Sequence, residues 1–398
     1  MVEHIVQAVV EIFTQNRYAD KVIERTFKNQ RKWGARDRRF FAESVYEIVR
    51  WWRYLGALAG FDPTKTAVDT AAVWQIWSAW CYDTHGTLPE WEETKKFDTQ
   101  NFAARKESIS SVAIRESVPD WLYEYGRQEF GEEWNQILHA MNQPAEVFLR
   151  ANTLCGTREE LLRKLKGEEI AVTPVSELDA GLKLLERKNL ASSESFKQGL
   201  FEIQDGASQM VAPLLRPEPG MKVIDACAGG GGKSLHLAAL MKNRGKIISM
   251  DVHAWKLESL KERARRNHVD IIETRVIDSD KVIKSLEKSA DRVLLDVPCS
   301  ALGVLRRNPD TKWKLTAEEV QKILILQSEI LQNYSQMVKP GGLLVYATCS
   351  LMPAENERQV KKFLEHNKQD WSLVEELHTL PHREGFDGFY GALLKRRS

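Results

Sequence analysis

The sequence is poor in the features that mark secreted, membrane-bound or metal-stabilised proteins. No apolar run approaches the roughly 20 residues needed to cross a bilayer. Met1 begins a polar helical pattern without the basic and apolar stretches of a secretion signal. The five cysteines are odd in number and widely spaced, and they form no Cys-x-x-Cys pair or Cys/His cluster. We therefore expect a cytoplasmic protein with reduced thiols, no membrane association and no structural metal.

Net charge is also nearly absent, at +1 for 398 residues, and by itself it says nothing about nucleic acid. Local charge is more informative, because eleven basic residues stand against five acidic ones between Arg17 and Arg53. A concentrated basic surface suits phosphate binding, although a solvated helical surface explains the same pattern equally well. The basic residues are Arg17, Lys21, Arg25, Lys28, Arg31, Lys32, Arg36, Arg38, Arg39, Arg50 and Arg53.

Length and periodicity predict three domains. Apolar residues recur at helical spacing from Glu3 to about Asn142, which predicts an all-α, tryptophan-rich domain over residues 1–142, with a loop around 84–100. Residues 143–215 hold short strand patterns and a helix opened by a capping box at Thr157. This second domain is predicted to be small and α/β, with a mixed sheet that helps to hold RNA.

Strands and helices alternate strictly from Pro219 onward. A helix capped at Thr316 is expected to run to Val338. The pattern predicts an α/β domain over residues 216–398, with a Rossmann-like parallel sheet covered by helices on both faces. The predicted strands are 223–227, 246–251, 274–277, 292–297 and 342–347, followed by late strands at 372–377 and 388–395.

A glycine-rich turn, Asp225-Ala-Cys-Ala-Gly-Gly-Gly-Gly-Lys-Ser234, joins the first of these strands to its helix. Four consecutive glycines let the backbone approach a ligand closely at the positive end of a helix. The turn is not the phosphate loop of NTP-binding proteins, because Cys227 stands where that motif needs glycine. A nicotinamide dehydrogenase is disfavoured too. It would need Gly-x-Gly-x-x-Gly at the start of the helix and a proton-relay His or Tyr at a strand end, and the sequence shows no such residue.

Acids follow the next three predicted strands, at Asp251, Asp278 and Asp296. A carboxylate at Asp251 can accept both hydroxyls of a ribose, and one at Asp278 can receive the amino group of an adenine. Ligands of open α/β sheets lie beyond the carboxyl ends of the strands. Three acids in series at such ends therefore favour an adenosine-binding site over the alternative that each acid is only a cap or turn residue. With Lys233 at the helix start, the site suits S-adenosylmethionine. The predicted cofactor residues are Cys227, Ala228, Gly229, Gly230, Gly231, Gly232, Lys233, Asp251, Asp278 and Asp296.

Two cysteines follow the fourth and fifth predicted strands, in Asp296-Val-Pro-Cys299-Ser and Thr348-Cys349-Ser. Both should lie on the ligand side of the sheet, in polar loops where a thiolate can react. A buried structural thiol is the usual alternative and fits Cys81 and Cys155 better.

These motifs resemble those of the Nop/Sun family of RNA cytosine-5 methyltransferases, most closely the bacterial enzymes that modify small-subunit ribosomal RNA. Residues 17–47 are similar to the family's helical N-terminal domain, which itself resembles a transcription antitermination factor. Residues 149–153 and 204–208 match the family's linker region, and residues 387–390 match its closing strand. The paired Pro-Cys-Ser and Thr-Cys-Ser motifs are highly specific. The chain departs from the family pattern in a Trp-rich stretch at 71–91 and in Gly229-Gly230, which replaces Ala-Pro and should loosen the turn.

The resemblance implies transfer of a methyl group from S-adenosylmethionine to carbon 5 of a cytosine in small-subunit ribosomal RNA. It also implies that Cys349 bonds to carbon 6, that Asp296 holds the base and that Cys299 assists release. Spacing alone does not distinguish the two thiols. The same motifs fit a transfer RNA cytosine-5 methyltransferase, and a non-catalytic RNA-binding homologue is a further alternative. We expect RNA as the partner and a monomeric protein.

Overall fold

A computed structural model describes all residues from 1 to 398. Residue contacts divide the chain into two compact units. The helical unit comprises Met1–Pro144 and Leu305–Ala317, and the sheet unit comprises Ala145–Val304 and Glu318–Ser398. No helix combines the length and the apolar character that crossing a bilayer requires.

The first 142 residues are helical, as predicted. Asp69 caps helix α5 (Thr70–His85) by accepting a hydrogen bond from the backbone N–H of Ala72, and Gly86 ends this helix at φ 72°. No helix lies between Gly86 and Asn101, which confirms the expected loop. The helices are α1 (Val2–Thr14), α2 (Ala19–Asn29), α3 (Ala35–Arg50), α4 (Trp52–Ala59), α5 (Thr70–His85), α6 (Phe102–Ser108), α7 (Val112–Arg115), α8 (Asp120–Phe130) and α9 (Glu133–Asn142).

Two of the basic residues predicted to form a surface are part of the core of the helical unit. Arg53 is buried, and its guanidinium donates to both carboxylate oxygens of Asp120 at 2.6 and 2.9 Å. Arg50 is also buried and donates to the carbonyl of Arg306. The prediction is therefore wrong for these two arginines, because they lie on the packed face at the α3–α4 junction. Several of the others are exposed, among them Arg31, Lys32, Arg36 and Arg39.

The segment Leu305–Ala317 packs within the helical unit, although it begins only five positions after Ser300, the end of the Asp296–Ser300 motif. It contains the short helix α16 (Thr311–Lys314). The indole N–H of Trp313 donates to the carbonyl of Val49 at 2.7 Å, and the carboxylate of Asp310 accepts from the backbone N–H of Ala19 at 2.9 Å. These bonds make the segment a structural part of the helical unit.

A small antiparallel sheet lies in the first part of the sheet unit. Its strands are β1 (Phe148–Ala151), β2 (Val172–Pro174), β3 (Gly181–Leu184) and β4 (Phe201–Ile203), in the order β2-β3-β1-β4, with the helices α10 (Arg158–Gly167) and α11 (Glu194–Lys197). The capping box at Thr157 is confirmed. The expected mixed sheet is wrong, because β3 inserts between β1 and β2, and no parallel pair forms.

The large sheet has seven strands, and β5 to β9 are mutually parallel. The strands are β5 (Lys222–Asp225), β6 (Lys246–Asp251), β7 (Ile272–Val276), β8 (Ala290–Asp296), β9 (Val338–Thr348), β10 (Trp371–Thr379) and β11 (Phe389–Arg396), in the order β10-β11-β9-β8-β5-β6-β7. The helices of this part are α12 (Gly206–Leu214), α13 (Gly232–Leu240), α14 (Ala254–Arg266), α15 (Asp280–Lys284), α17 (Ala317–Tyr334) and α18 (Glu357–Asn367).

Two details of the large sheet differ from the sequence expectation. Strand β11 is antiparallel to both β9 and β10, because it returns from β10 and inserts beside β9. Helix α17 ends at Tyr334, and after a 3₁₀ turn Val338 begins β9 instead of ending the helix.

Both faces of the large sheet are buried. Neighbouring residues of the central strands alternate between two apolar clusters, as Val223 and Ile224 do in β5 and as Leu294 and Leu295 do in β8. A parallel sheet buried on both faces requires helices on both sides. The predicted Rossmann-like architecture is therefore confirmed.

Candidate active site

The glycine turn between β5 and α13 is closed on one side and open on the other. Gly229 has φ 53° and Gly231 has φ 84°, a region that favours glycine. A Cβ at Gly231 would lie 2.4 Å from Cγ of Leu260 on α14, so no larger residue fits there. A Cβ at Gly229 would meet no atom within 4 Å. The turn thus leaves space for a ligand beside Gly229.

Asp251, at the end of β6, lies against this turn. Its carboxylate accepts hydrogen bonds from the backbone N–H groups of Gly229 at 3.0 Å and His253 at 2.8 Å. The ammonium of Lys256 lies 3.7 Å from the same carboxylate. The structure thus brings together the turn and the acid that sequence reasoning assigned to a ribose.

Two arginines hold the carbonyl groups of the turn. Arg263 on α14 donates to the carbonyl of Gly230 at 2.6 Å and to the carboxylate of Glu202 at 2.8 Å. Arg150 on β1 is buried and donates to the carbonyl of Gly232 at 2.9 Å. Sequence reasoning did not identify these residues, because one lies among several basic residues of a helix and the other lies in a short strand of another sheet.

Asp225, at the end of β5, is completely buried below the turn. The hydroxyl of Ser234 donates to its carboxylate at 2.6 Å, and the hydroxyl of Ser249 is 2.8 Å from that of Ser234. Burial raises the pKa of Asp225 to about 7, and the nearby charge of Asp296 adds to this effect. Sequence reasoning used Asp225 only as the start of the turn, although an acid directly after Val223-Ile224 is a signal of a buried carboxyl.

Lys233 and Asp296 form an ion pair at the carboxyl end of the sheet. The Lys233 ammonium lies 2.7 Å from the Asp296 carboxylate and 5.2 Å from the centre of the Phe389 ring. Burial of Lys233 opposes its charge, but Asp296, with a smaller contribution from Asp225, raises the pKa of the ammonium above its ordinary value. Cys349 is close enough to act in the same direction. The raised pKa therefore favours the charged form of Lys233 at this end of the sheet.

The two cysteines that follow β8 and β9 are in direct contact. Their sulfur atoms lie 3.3 Å apart, and both are free thiols that are partly buried. The hydrogen bond with Cys349, together with burial, raises the pKa of the Cys299 thiol well above its ordinary value. The structure therefore favours the protonated form of Cys299, which the spacing of the two cysteines in the sequence could not indicate.

Cys227 and Asp278 complete the predicted set. Burial raises the pKa of the Cys227 thiol well above its ordinary value, and the surrounding acids Asp225, Asp296 and Asp251 add to this effect. Asp278 follows β7 and is exposed, and its carboxylate accepts a hydrogen bond from the neighbouring Ser279 hydroxyl at 2.9 Å rather than from the glycine turn.

A glycine turn that lies against an acid at the end of the next strand, on a Rossmann-like sheet, is typical of enzymes that bind a nucleotide or nucleoside cofactor. The model of the 16S rRNA methyltransferase RsmB/F family matches residues 212–395, and the ferredoxin-like domain of RsmF/B-like methyltransferases matches residues 118–191. The chain belongs to the RsmB/F methyltransferase family.

Individual relatives agree with this assignment. The chain is 35% identical over 307 residues to the probable ribosomal RNA small subunit methyltransferase B of Synechocystis sp., and the match spans 72% of this chain and 68% of that protein. The crystal structure of PH0851 matches with a TM-score of 0.78 and 25% identity over 98% of each chain. NSun6 from Pyrococcus horikoshii with SFG has a TM-score of 0.65 and 24% identity, over 71% of this chain and 99% of that one. The resemblance to Nop/Sun proteins is confirmed.

Proposed function

We propose that the protein transfers a methyl group from S-adenosylmethionine to carbon 5 of a cytosine in small-subunit ribosomal RNA, with Cys349 as the covalent nucleophile. The 3.3 Å contact between the sulfurs of Cys299 and Cys349, next to the Lys233–Asp296 pair, carries the proposal. One thiol serves to attack the base, and a second thiol in contact with it serves to release the product. The small-subunit target is supported by the name of the Synechocystis relative.

The residues around the glycine turn fit S-adenosylmethionine. The open space at Gly229 accepts a ligand against the backbone, and the neighbouring Asp251 carboxylate suits the ribose hydroxyls. Asp278 would receive the adenine amino group, and Lys233 with Asp296 would face the reacting end. When bound, the cofactor supplies a methyl group on a positively charged sulfur. The proposed binding residues remain 227–233, Asp251, Asp278 and Asp296.

Cys349 begins the reaction as a thiolate. Its sulfur bonds to carbon 6 of the cytosine, and the electrons of the ring double bond become available at carbon 5. Carbon 5 then bonds to the methyl group, whose bond to the sulfonium sulfur breaks with both electrons left on that sulfur. Asp296 accepts a hydrogen bond from the exocyclic amine and shares a proton with N3, which offsets the negative charge that arrives with the thiolate, and the Lys233 ammonium lies 2.7 Å from its carboxylate.

Release of the product restores the aromatic ring. Solvent water takes the proton from carbon 5, the electrons of that C–H bond re-form the ring double bond, and the bond between carbon 6 and sulfur breaks with its electron pair on the Cys349 sulfur. Cys299 assists this elimination, because its sulfur lies 3.3 Å from the sulfur that departs. The hydrogen bond with Cys349 and burial raise the pKa of the Cys299 thiol, which favours its protonated form, and this thiol can donate a hydrogen bond to the departing sulfur.

Residues 1–142 and 143–215 would position the RNA through phosphate and shape contacts. Exposed basic residues such as Arg31, Lys32, Arg36 and Arg39 suit this role. The target cytosine must leave its stack to reach the two thiols. Because phosphate contacts release counterions, RNA binding should weaken strongly with salt.

Substitution of each cysteine tests the proposal. We expect Cys349→Ala to abolish methyl transfer to a small-subunit rRNA transcript while S-adenosylmethionine binding is nearly unchanged. Cys299→Ala should accumulate a protein–RNA adduct that appears as a retarded band on a denaturing gel, and Cys155→Ala serves as the control. Methylation by Cys349→Ala near the wild-type rate would falsify the assignment of the nucleophile.

A parallel assay on transfer RNA tests the choice of substrate. If the wild-type protein methylates only transfer RNA transcripts, the proposed ribosomal RNA substrate is wrong, and the proposed methylation of cytosine is retained. If the wild-type protein methylates neither RNA but still binds it, the non-catalytic alternative is correct.

A further inference from the structure

A buried carboxylate joins the two cysteine loops. Glu355 has no exposed surface, and it lies between β9 and α18. One of its oxygens accepts hydrogen bonds from the hydroxyls of Ser300 and Ser350. The other accepts from the backbone N–H of Ser300 at 2.8 Å and from the side-chain amide of Gln327 at 3.0 Å. Each oxygen of this carboxylate therefore accepts two hydrogen bonds.

The two serines are the residues that directly follow the two cysteines. Ser300 follows Cys299 and Ser350 follows Cys349, and their hydroxyl oxygens lie 3.1 Å apart. Glu355 thus holds equivalent positions in both loops, and the distance between the sulfurs depends on how these loops are held. Hydrogen bonds to a charged acceptor are about twice as strong as neutral ones, which makes this junction rigid.

Neighbouring bonds hold Glu355 itself in place. The phenol of Tyr346 donates to the Glu355 carbonyl at 2.7 Å, and the side-chain amide of Asn356 donates to the Ser350 carbonyl at 3.0 Å. The Gln327 amide that donates to Glu355 also donates to the carbonyl of Pro298 at 3.0 Å. Glu355 is therefore anchored through its backbone from β9, and through its carboxylate from α17 and from the loop that contains Cys299.

We propose that Glu355 is a positioning residue that fixes the Cys299 and Cys349 loops relative to each other, so that both sulfurs reach the same cytosine. The inference rests on the proposed function, because it assigns the two thiols to one reaction. A displacement of about 1 Å in a reacting group lowers the rate on the order of 100-fold. The gain in rate from a fixed junction can therefore offset the cost of burying the Glu355 carboxylate.

The charge of Glu355 also acts on the thiols. After the hydrogen bond with Cys349 and burial, the negative charge of Glu355 is a further cause of the raised pKa of Cys299. Glu355 therefore favours the protonated form of Cys299 in addition to fixing its position. Removal of this charge should make the Cys299 thiol more reactive. Loss of the hydrogen bonds between the two loops should slow methyl transfer, because that reaction uses both thiols.

The test compares Glu355→Gln with the matched control Glu357→Gln, which removes a carboxylate two positions away. The glutamine side chain has the size of Glu355, but an NH₂ group replaces one of the two oxygens. That group cannot accept hydrogen bonds, so two of the four bonds to Glu355 are lost. In single-turnover assays we expect Glu355→Gln to slow both adduct formation and methyl transfer by about 100-fold. The KM for RNA and the affinity for S-adenosylmethionine should stay close to wild type, as should all parameters of Glu357→Gln.

Ser350→Ala provides a second variant if Glu355→Gln folds poorly. It should slow adduct formation in the same way, and the double variant should be no slower than the slower single variant, because both changes remove one connection. A role in stability alone would lower the melting temperature without changing kcat. Wild-type kcat in a folded Glu355→Gln protein, or additive effects in the double variant, would overturn the inference.

A measurement without RNA separates this inference from the proposed function. Iodoacetamide should alkylate Cys299 severalfold faster in Glu355→Gln than in the wild type or Glu357→Gln, as followed by peptide mass spectrometry. If the wild-type protein methylates no cytosine but Cys299 reacts faster in Glu355→Gln, the function is wrong and the control of the thiols by Glu355 stands. Equal alkylation rates would contradict the effect of Glu355 on the reactivity of Cys299.

Discussion

At the scale of single residues, the Asp225 carboxyl links the stability of the protein to pH. Burial is the main reason that its pKa rises from an ordinary value of 3.8 to about 7, and the Ser234 hydroxyl opposes the rise only in part. Between these pH values the folded chain keeps a proton that the unfolded chain has released. The free energy of unfolding contributed by this group therefore falls as pH rises from about 4 to 7.

Asp225→Asn should remove this dependence. At pH 8 the wild-type protein carries a buried charge, so the variant should be more stable by up to about 4 kcal/mol, whereas near pH 4 the difference should vanish. Urea denaturation at both pH values measures the change, with the exposed Asp280→Asn as the control. A variant that is less stable than the wild type at pH 8 would show that the Asp225 carboxylate is stabilised by its surroundings.

A site residue could be predicted from the sequence where it stands at the end of a predictable strand. The motifs that contain Cys299 and Cys349 end two predicted strands, and the structure places their sulfurs in contact. Lys233 and Asp296 were likewise placed at one edge of the sheet and are paired. Glu355 was not predictable, because it lies in a polar stretch after Pro353, and only the folded chain brings the two serines to it.

At the scale of elements, the glycine turn was predicted but its supports were not. The replacement of Ala-Pro by Gly229-Gly230 predicts a looser turn. In the structure, however, Arg263 donates to the carbonyl of Gly230 and is itself fixed by Glu202. These partners come from α14 and β4, and no local pattern indicates that the two elements meet at the turn. The arginine supplies rigidity that the turn sequence lacks.

Arg263→Ala should therefore weaken cofactor binding. The loss of one charge-assisted hydrogen bond is worth about 1.5–3 kcal/mol, so we expect the Kd of S-adenosylmethionine to rise at least about tenfold. Isothermal titration calorimetry measures the change. Arg266→Ala is the matched control, because Arg266 also pairs with Glu202 but has no hydrogen bond to the turn. An equal rise in both variants would assign the effect to Glu202 rather than to the turn.

At the scale of the whole molecule, alternation of strands and helices is a local pattern, which explains why the Rossmann-like sheet was predictable. The placement of Leu305–Ala317 was not. Its Trp313 donates to Val49, a residue 264 positions earlier in the chain, and nothing in the sequence around Trp313 specifies that partner. The conformation of Leu305–Ala317 therefore depends on its packing within the helical unit.

Trp313→Ala tests how far this segment stabilises the helical unit. The indole is half-buried against the core of that unit and donates one hydrogen bond. We expect a loss of about 2 kcal/mol, less than the ~3–5 kcal/mol typical of a fully buried ring. Trp313→Phe keeps most of the apolar contact and should lose about 1 kcal/mol, the contribution of the hydrogen bond.

Hydrogen exchange of the full chain locates this effect. Peptides of α3 and α16 should exchange faster in Trp313→Ala, because local opening depends on the stability of the unit to which they belong. Peptides of β5, β6 and β8 should exchange as in the wild type, and the exposed Trp255→Ala should change neither set. Uniformly faster exchange in both units would mean that the segment stabilises the chain as one cooperative body, whereas unchanged exchange in α3 would show that the bond to Val49 contributes nothing.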